Sequence, residues 1–236
     1  MSPLLPEKDQ GGGALLALEG THTRTVLMDI RSLDTFLELS TEEYLSCTPE
    51  DPPGFFAVLV GSLFGDIAHI SRLEFARNVR ASDVIAEAEF AANIVPCFGA
   101  AYNNKRRGYW CDARDLLRID REAQRDGLDI IGSIHLHPDW HRIGPEHERG
   151  MRISEQTTPM DRHMFANTRW PINMICYLEG RDGVVLPTLA AWAPPHDVPG
   201  EGAPGACAPL ALRVRDSVGE LLEGDALRLP PIERVR

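Results

Sequence analysis

Two apolar runs of strand length, GFFAVLVGSLF over residues 54–64 and IAHISRLEF over residues 67–75, stand on either side of Gly65-Asp66. Runs of this kind around a Gly-containing pair form two strands joined by a tight turn. The pattern recurs further along, where INMICYLEG and VVLPTLAAW flank the Gly-Arg-Asp-Gly stretch at residues 180–183. A further run, LDIIGSIHLHP over residues 128–138, begins as a buried strand and ends in two histidines at alternate positions. So many strand-length segments commit the chain to a sheet that other elements must cover.

Fewer segments carry a helical signature. Residues 112–125, DARDLLRIDREAQR, repeat apolar or small side chains at Leu116, Leu117, Ile119 and Ala123 beneath a charged face, and Gly127 can stop the helix. Thr158-Pro159-Met160-Asp161 opens another, with Thr as cap, Pro at the first helical position and a carboxylate three residues after the cap. It runs to about Arg169. Ser40-x-x-Glu43 is a capping box for a short helix ending near Cys47, and the tail forms one short helix over residues 216–222. Strands outnumber helices, so the expectation is a mixed α/β or α+β layered domain.

Pro and Gly cluster at residues 11–13, 48–54 and 193–209, which sets boundaries. They divide the chain into an N-terminal extension (1–53), a single catalytic-type domain (54–194) and a Pro/Gly-rich linker with a C-terminal tail (195–236). With 43% hydrophobic and 25% charged residues the chain is not disordered throughout. No apolar run approaches the ~20 residues of a membrane span, and the first residues lack a signal-peptide pattern, so the cytoplasm is the expected location and no membrane partner is expected. A formal charge of -11 opposes binding to nucleic acid. The five cysteines form no C-x-x-C pair and are expected as reduced thiols.

The chemistry concentrates in His135-Leu136-His137-Pro138. Alternation along a strand puts both imidazoles on one face, where a tetrahedral Zn²⁺ takes two nitrogen donors. Asp161, on the first turn of the following helix, is the candidate third ligand, which leaves the fourth position for water. Hydrogen-bonded histidines and an ordinary helix cap explain the same residues without a metal. Two other metal readings fail on spacing. HLHPDWH has Asp139 where metallo-β-lactamase-like hydrolases carry theirs, but Trp140 where a His is required and His141 one residue late. A zinc deaminase would need H-x-E and P-C-x-x-C.

H-x-H-P followed by Thr-x-x-Asp and a Trp170-Pro171 lead into a strand resembles the JAB/MPN family, the zinc metallopeptidases with the JAMM motif, over roughly residues 54–192. The resemblance implies a JAB/MPN-like mixed sheet flanked by helices and a Zn²⁺ ion on His135, His137 and Asp161. It implies an oxyanion-stabilising hydroxyl from Thr158, which stands where the family has Ser, or from Ser154. The implied activity is hydrolysis of a peptide or isopeptide bond after the C-terminal glycine of a ubiquitin-like or sulfur-carrier protein, with an E1-like adenylating enzyme as a further partner. A noncatalytic binding or scaffold protein and a zinc hydrolase of small molecules are the alternatives.

Two features depart from the family. Twenty residues separate His137 from Thr158, which makes residues 139–156 an inserted loop. Gly54 stands where the family's general-base Glu opens its strand. Glu74 on the returning strand is a candidate substitute, with Glu50 and Asp51 before the strand and His141, Glu146, His147 and Glu148 in the loop as further candidates.

Overall fold

The computed structural model describes residues 23–144, 146, 149, 156–195 and 205–233. Its strands are β1 (Thr25–Asp29), β2 (Phe56–Phe64), β3 (Ile67–Glu74), β4 (Asp129–Pro138), β5 (Ile172–Arg181), β6 (Val184–Trp192), β7 (Pro209–Arg215), β8 (Leu221–Gly224), β9 (Ala226–Arg228) and β10 (Ile232–Glu233). The helices are α1 (Asp34–Ser46), α2 (Val84–Glu89), α3 (Val95–Phe98), α4 (Ala113–Arg125), α5 (Trp140–Ile143) and α6 (Pro159–Thr168). No helix among the described residues is long and apolar enough to cross a membrane.

Both expected hairpins form. Phe64 pairs with Ile67 across Gly65, whose φ is +61°. Arg181 pairs with Val184 across Asp182 and Gly183, both at positive φ, the backbone that a two-residue hairpin turn demands. The amphipathic helix forms as α4, with the Asp112 side chain accepting from Arg114 N at 2.7 Å. At the tail a hairpin replaces the expected helix: Asp216 accepts from the amides of Val218 and Glu220, Gly219 sits at φ +91°, and β7 turns back into β8. Ser40 and Glu43 lie inside α1, which starts earlier than the capping box suggests.

The expected α/β arrangement, a JAB/MPN-like mixed sheet flanked by helices, is overturned. Seven strands close into a mixed barrel in the order β6-β5-β4-β2-β3-β1-β7, with β7 returning to β6, and β8, β9 and β10 are added around it. Closure comes from the described parts of the two flanking segments. β1 pairs in parallel with both β3 and β7, and β7 reaches β6 through Ala191 with Leu210 and Trp192 with Pro209. Without β1 and β7 the wall would be an open sheet.

Side chains that alternate along the strands fill the interior, among them Val26, Met28, Leu59, Ile134, Met174 and Leu212, each at most 1% exposed. β1 and β7 bury only alternate residues, whereas β2, β4 and β5 are buried along both faces. Their second, outer face has its own cover. Ile119 and Ala123 of α4 pack on Phe56, Val58 and Val60, and Phe165 of α6 packs on Ile175 and Tyr177. The two histidines of β4 belong to this covered outer face.

Candidate metal centre

His135 and His137 project from the end of β4 between two neighbours. His135 lies opposite Phe56 of β2, and the parallel partner β5 sets Ile175 and Tyr177 beside the two histidines. The left-handed Arg169 ends α6 just before β5, so the first turn of α6 arrives over the end of β4. Thr158 and Asp161 form a reciprocal capping box there: Thr158 Oγ1 accepts from Asp161 N at 3.1 Å, and Asp161 Oδ2 accepts from Thr158 N at 2.6 Å.

The same carboxylate faces both rings. Asp161 Oδ1 lies 3.2 Å from His135 Nε2, Oδ2 lies 3.5 Å from His137 Nε2, and the two Nε2 atoms are 3.0 Å apart. Capping and convergence on the rings are therefore not competing explanations of Asp161. A tetrahedral ion with ligand bonds of about 2.0–2.1 Å needs donors about 3.3–3.4 Å apart; each imidazole lies near that distance from a different Asp161 oxygen, and taken as one donor atom per residue the three lie within 4.8 Å of one another. The group His135, His137 and Asp161 could hold a metal ion.

Electrostatics agree with the donor set. Burial lowers the His135 pKa below the usual histidine range, against the opposing pull of Asp161, and so favours the neutral imidazole that ligation requires. Burial alone would raise the Asp161 carboxyl, but the His137 charge and the hydrogen bonds of both rings outweigh it and hold it far below its ordinary range. His135 Nδ1 is buried without a partner among the described residues. It lacks the outer acceptor that usually orients a ligating histidine.

The three side chains line a cavity of about 450 Å³. Thr158 lies on its wall, and because its oxygen already accepts from Asp161 N, its own hydrogen remains available to a ligand. Phe98, Tyr102, Met160 and Met164 make the wall largely apolar. Tyr109 stacks on Phe56 at 4.6 Å between ring centres and approaches His135 at 5.4 Å; burial and the Asp161 charge push its hydroxyl up, so it stays protonated.

Among the described residues, none of the proposed substitutes Glu74, Glu50, Asp51, His141 and Glu146 lines this cavity. Glu74 is two strands away on β3, roughly 10 Å across the sheet, and its carboxylate accepts from Arg72 Nε at 2.8 Å. Asp51 pairs with Arg106 and lines a neighbouring cavity. Glu50 is exposed, as is Glu146, while Ser154, His147 and Glu148 lie outside the described residues. Asp139 is buried, accepting from Tyr44 Oη at 2.9 Å and Gly180 N at 3.1 Å, a structural tie between α1 and the strand ends.

Gly54 explains why no carboxylate fills its slot. A Cβ there would sit 2.7 Å from both Asn78 Nδ2 and the Gly108 carbonyl oxygen. The carboxylate that sequence reasoning missed is Glu43 of α1, whose Oε1 accepts from Gly54 N at 2.6 Å. Its burial raises its pKa above the ordinary value, against the effect of that amide. Glu43 lines the neighbouring cavity rather than the metal cavity. Its sequence signal was present but was spent on the Ser40-x-x-Glu43 capping box. No protein-family model matches the chain, and no curated protein sequence matches it either.

Proposed function

We propose that the chain is a zinc-dependent hydrolase of the JAMM type, acting on a peptide or isopeptide bond after the C-terminal glycine of a ubiquitin-like or sulfur-carrier protein. The observation that carries this reading is the convergence of His135 Nε2, His137 Nε2 and Asp161 within 3.0–3.5 Å of one another on the wall of a cavity. Two imidazoles and one carboxylate are a donor set of catalytic zinc, which leaves one position open. When bound, zinc supplies Lewis acidity toward a carbonyl oxygen and toward water.

The chain's own residues do the rest. Asp161, locked by Thr158 N, fixes the donor geometry. The Thr158 hydroxyl, free to donate, faces the cavity and would hydrogen-bond a developing oxyanion. The apolar wall excludes water around the scissile bond. A glycine at that bond adds no side chain to be accommodated, and an E1-like adenylating enzyme is the partner that activates such glycine tails. Apart from Asp161, no carboxylate among the described residues lines the cavity, so none of those residues is a dedicated proton acceptor, and a site without one loses typically about 10²–10⁴ in rate.

That deficit favours a second reading, a noncatalytic metal-binding module, on the specific ground that the Gly54 slot is filled by Asn78 and Gly108. One experiment separates the two. Zinc-loaded protein is incubated with a fusion linked through Gly-Gly to a small ubiquitin-like protein. Slow cleavage that disappears in His135→Ala supports the hydrolase; stoichiometric zinc with no cleavage supports the binding module.

A further inference from the structure

We infer that Arg80 forms a binding subsite for a small oxyanion, a carboxylate or phosphate group, in a second cavity beside the metal cavity. This cavity, of about 390 Å³, is lined by Arg80, Asn78, Lys105, Arg106, Glu43 and Asp51, and it shares Pro52, Gly54 and Phe55 with the metal cavity. Arg80 is only 3% exposed. Its Nη2 donates to the Tyr102 carbonyl oxygen at 3.1 Å, and its guanidinium carbon lies 3.5 Å from the centre of the Phe90 ring. Nε and Nη1 are buried with no hydrogen-bond partner.

A guanidinium cannot shed its charge to escape this situation. The Phe90 face attracts the cation but supplies no acceptor in the guanidinium plane, where the N–H groups point. Buried donors without partners are rare, and a bound ion is one of the arrangements that satisfies them. Nearby carboxylates are engaged elsewhere: Glu87 with Lys105, Asp51 with Arg106, and Glu43 with Gly54 N. None among the described residues hydrogen-bonds Arg80, and Glu87 acts on its charge only at a distance. Burial depresses the Arg80 pKa, the mark of a cation short of compensating charge.

The subsite is built rather than loose. Asn78 Nδ2 donates to the carbonyl oxygens of Gly54 and Gly108, and its Oδ1 accepts from Arg80 N and Trp110 N. One side chain thus ties Arg80 to the Gly54 segment that both cavities share. An anion held at Arg80 is either free phosphate or the carboxylate end of a molecule that lies across Gly54 toward the metal group.

The test uses the full chain with His135→Ala, so that no metal-held anion interferes. Inorganic phosphate and, separately, succinate are titrated against the thermal midpoint, in this chain and with Arg80→Met added, which keeps an apolar stem over Phe90. The expected result is a saturable rise with one or both anions that Arg80→Met abolishes. A rise with succinate alone identifies a carboxylate ligand, and one with phosphate alone identifies phosphate. No rise, or an equal rise with Arg80→Met, overturns the subsite. Should Arg80→Met fail to fold, wild-type crystals soaked in selenate decide. Anomalous density within hydrogen-bond distance of Nε or Nη1 supports the subsite, and its absence overturns it.

Discussion

Asp161 does two jobs with one carboxylate, and substitutions can separate them. Asp161→Asn keeps an oxygen for the Thr158 amide but removes the charge that faces both imidazoles. It should lower zinc affinity by at least about 10-fold, measured by competition with a chelator, while the metal-free helix cap survives. Thr158→Ala should do the opposite in part, costing about 1 kcal/mol of stability through the lost cap, read from urea denaturation, with zinc still bound. Gly54→Glu, which the resemblance would suggest as a repair, must displace the Gly108 carbonyl or Asn78. It should lower the thermal midpoint without raising cleavage. The thiols give an independent check on burial. Burial pushes Cys47, Cys111 and Cys207 to about 11 and Cys176 to about 12, whereas Cys97 is exposed. A pKa of about 11 leaves on the order of one thiolate in 10³ at pH 8, so a thiol reagent at that pH should modify Cys97 first and the other four far more slowly. Fast labelling of several thiols would contradict the packing described.

At the scale of elements, close approach of strands is what single glycines protect. A Cβ at Gly132 of β4 would lie 2.1 Å from the Ile172 carbonyl oxygen of β5, so Gly132→Ala should destabilise by about 1–3 kcal/mol, measured by chemical denaturation. Because the β4–β5 pairing also sets the histidines beside Ile175 and Tyr177, the same substitution should weaken zinc binding. Much at this scale was legible beforehand. Hairpins announced themselves through Gly65 and Gly183, where positive φ is required, α4 through its apolar spacing and Gly127, and α6 through Thr158, which caps it. The pair of histidines on one face was legible because a period of two on a strand fixes which side chains share a face. What escaped was non-local. Glu43 meets Gly54 only through the tertiary fold, and nothing in its neighbours along the chain marks that contact. Asp216 and Gly219 carry turn signals, but the segment is short and its pattern fits a helix as well as the hairpin it forms.

For the whole molecule, the closed barrel was invisible for a physical reason. Parallel partners such as β1 with β3 and β7 share no turn, so no local residue pattern records their pairing. The consequence is testable: residues 54–194 alone lack β1 and β7, which leaves β3 and one flank of β6 unpaired. Such a fragment should show no cooperative thermal transition, whereas the full chain should; cooperative unfolding of the fragment would mean that barrel closure contributes little. The covered outer face of β2, β4 and β5 is where the barrel holds its two histidines, so the fold and the candidate site stand together. Elemental analysis of the purified full chain after equilibration with Zn²⁺ tests that centre most directly. About one zinc per chain, lost on His135→Ala and on Asp161→Ala, is the result predicted here; a chain that retains no zinc, or one whose zinc survives both substitutions, would contradict it.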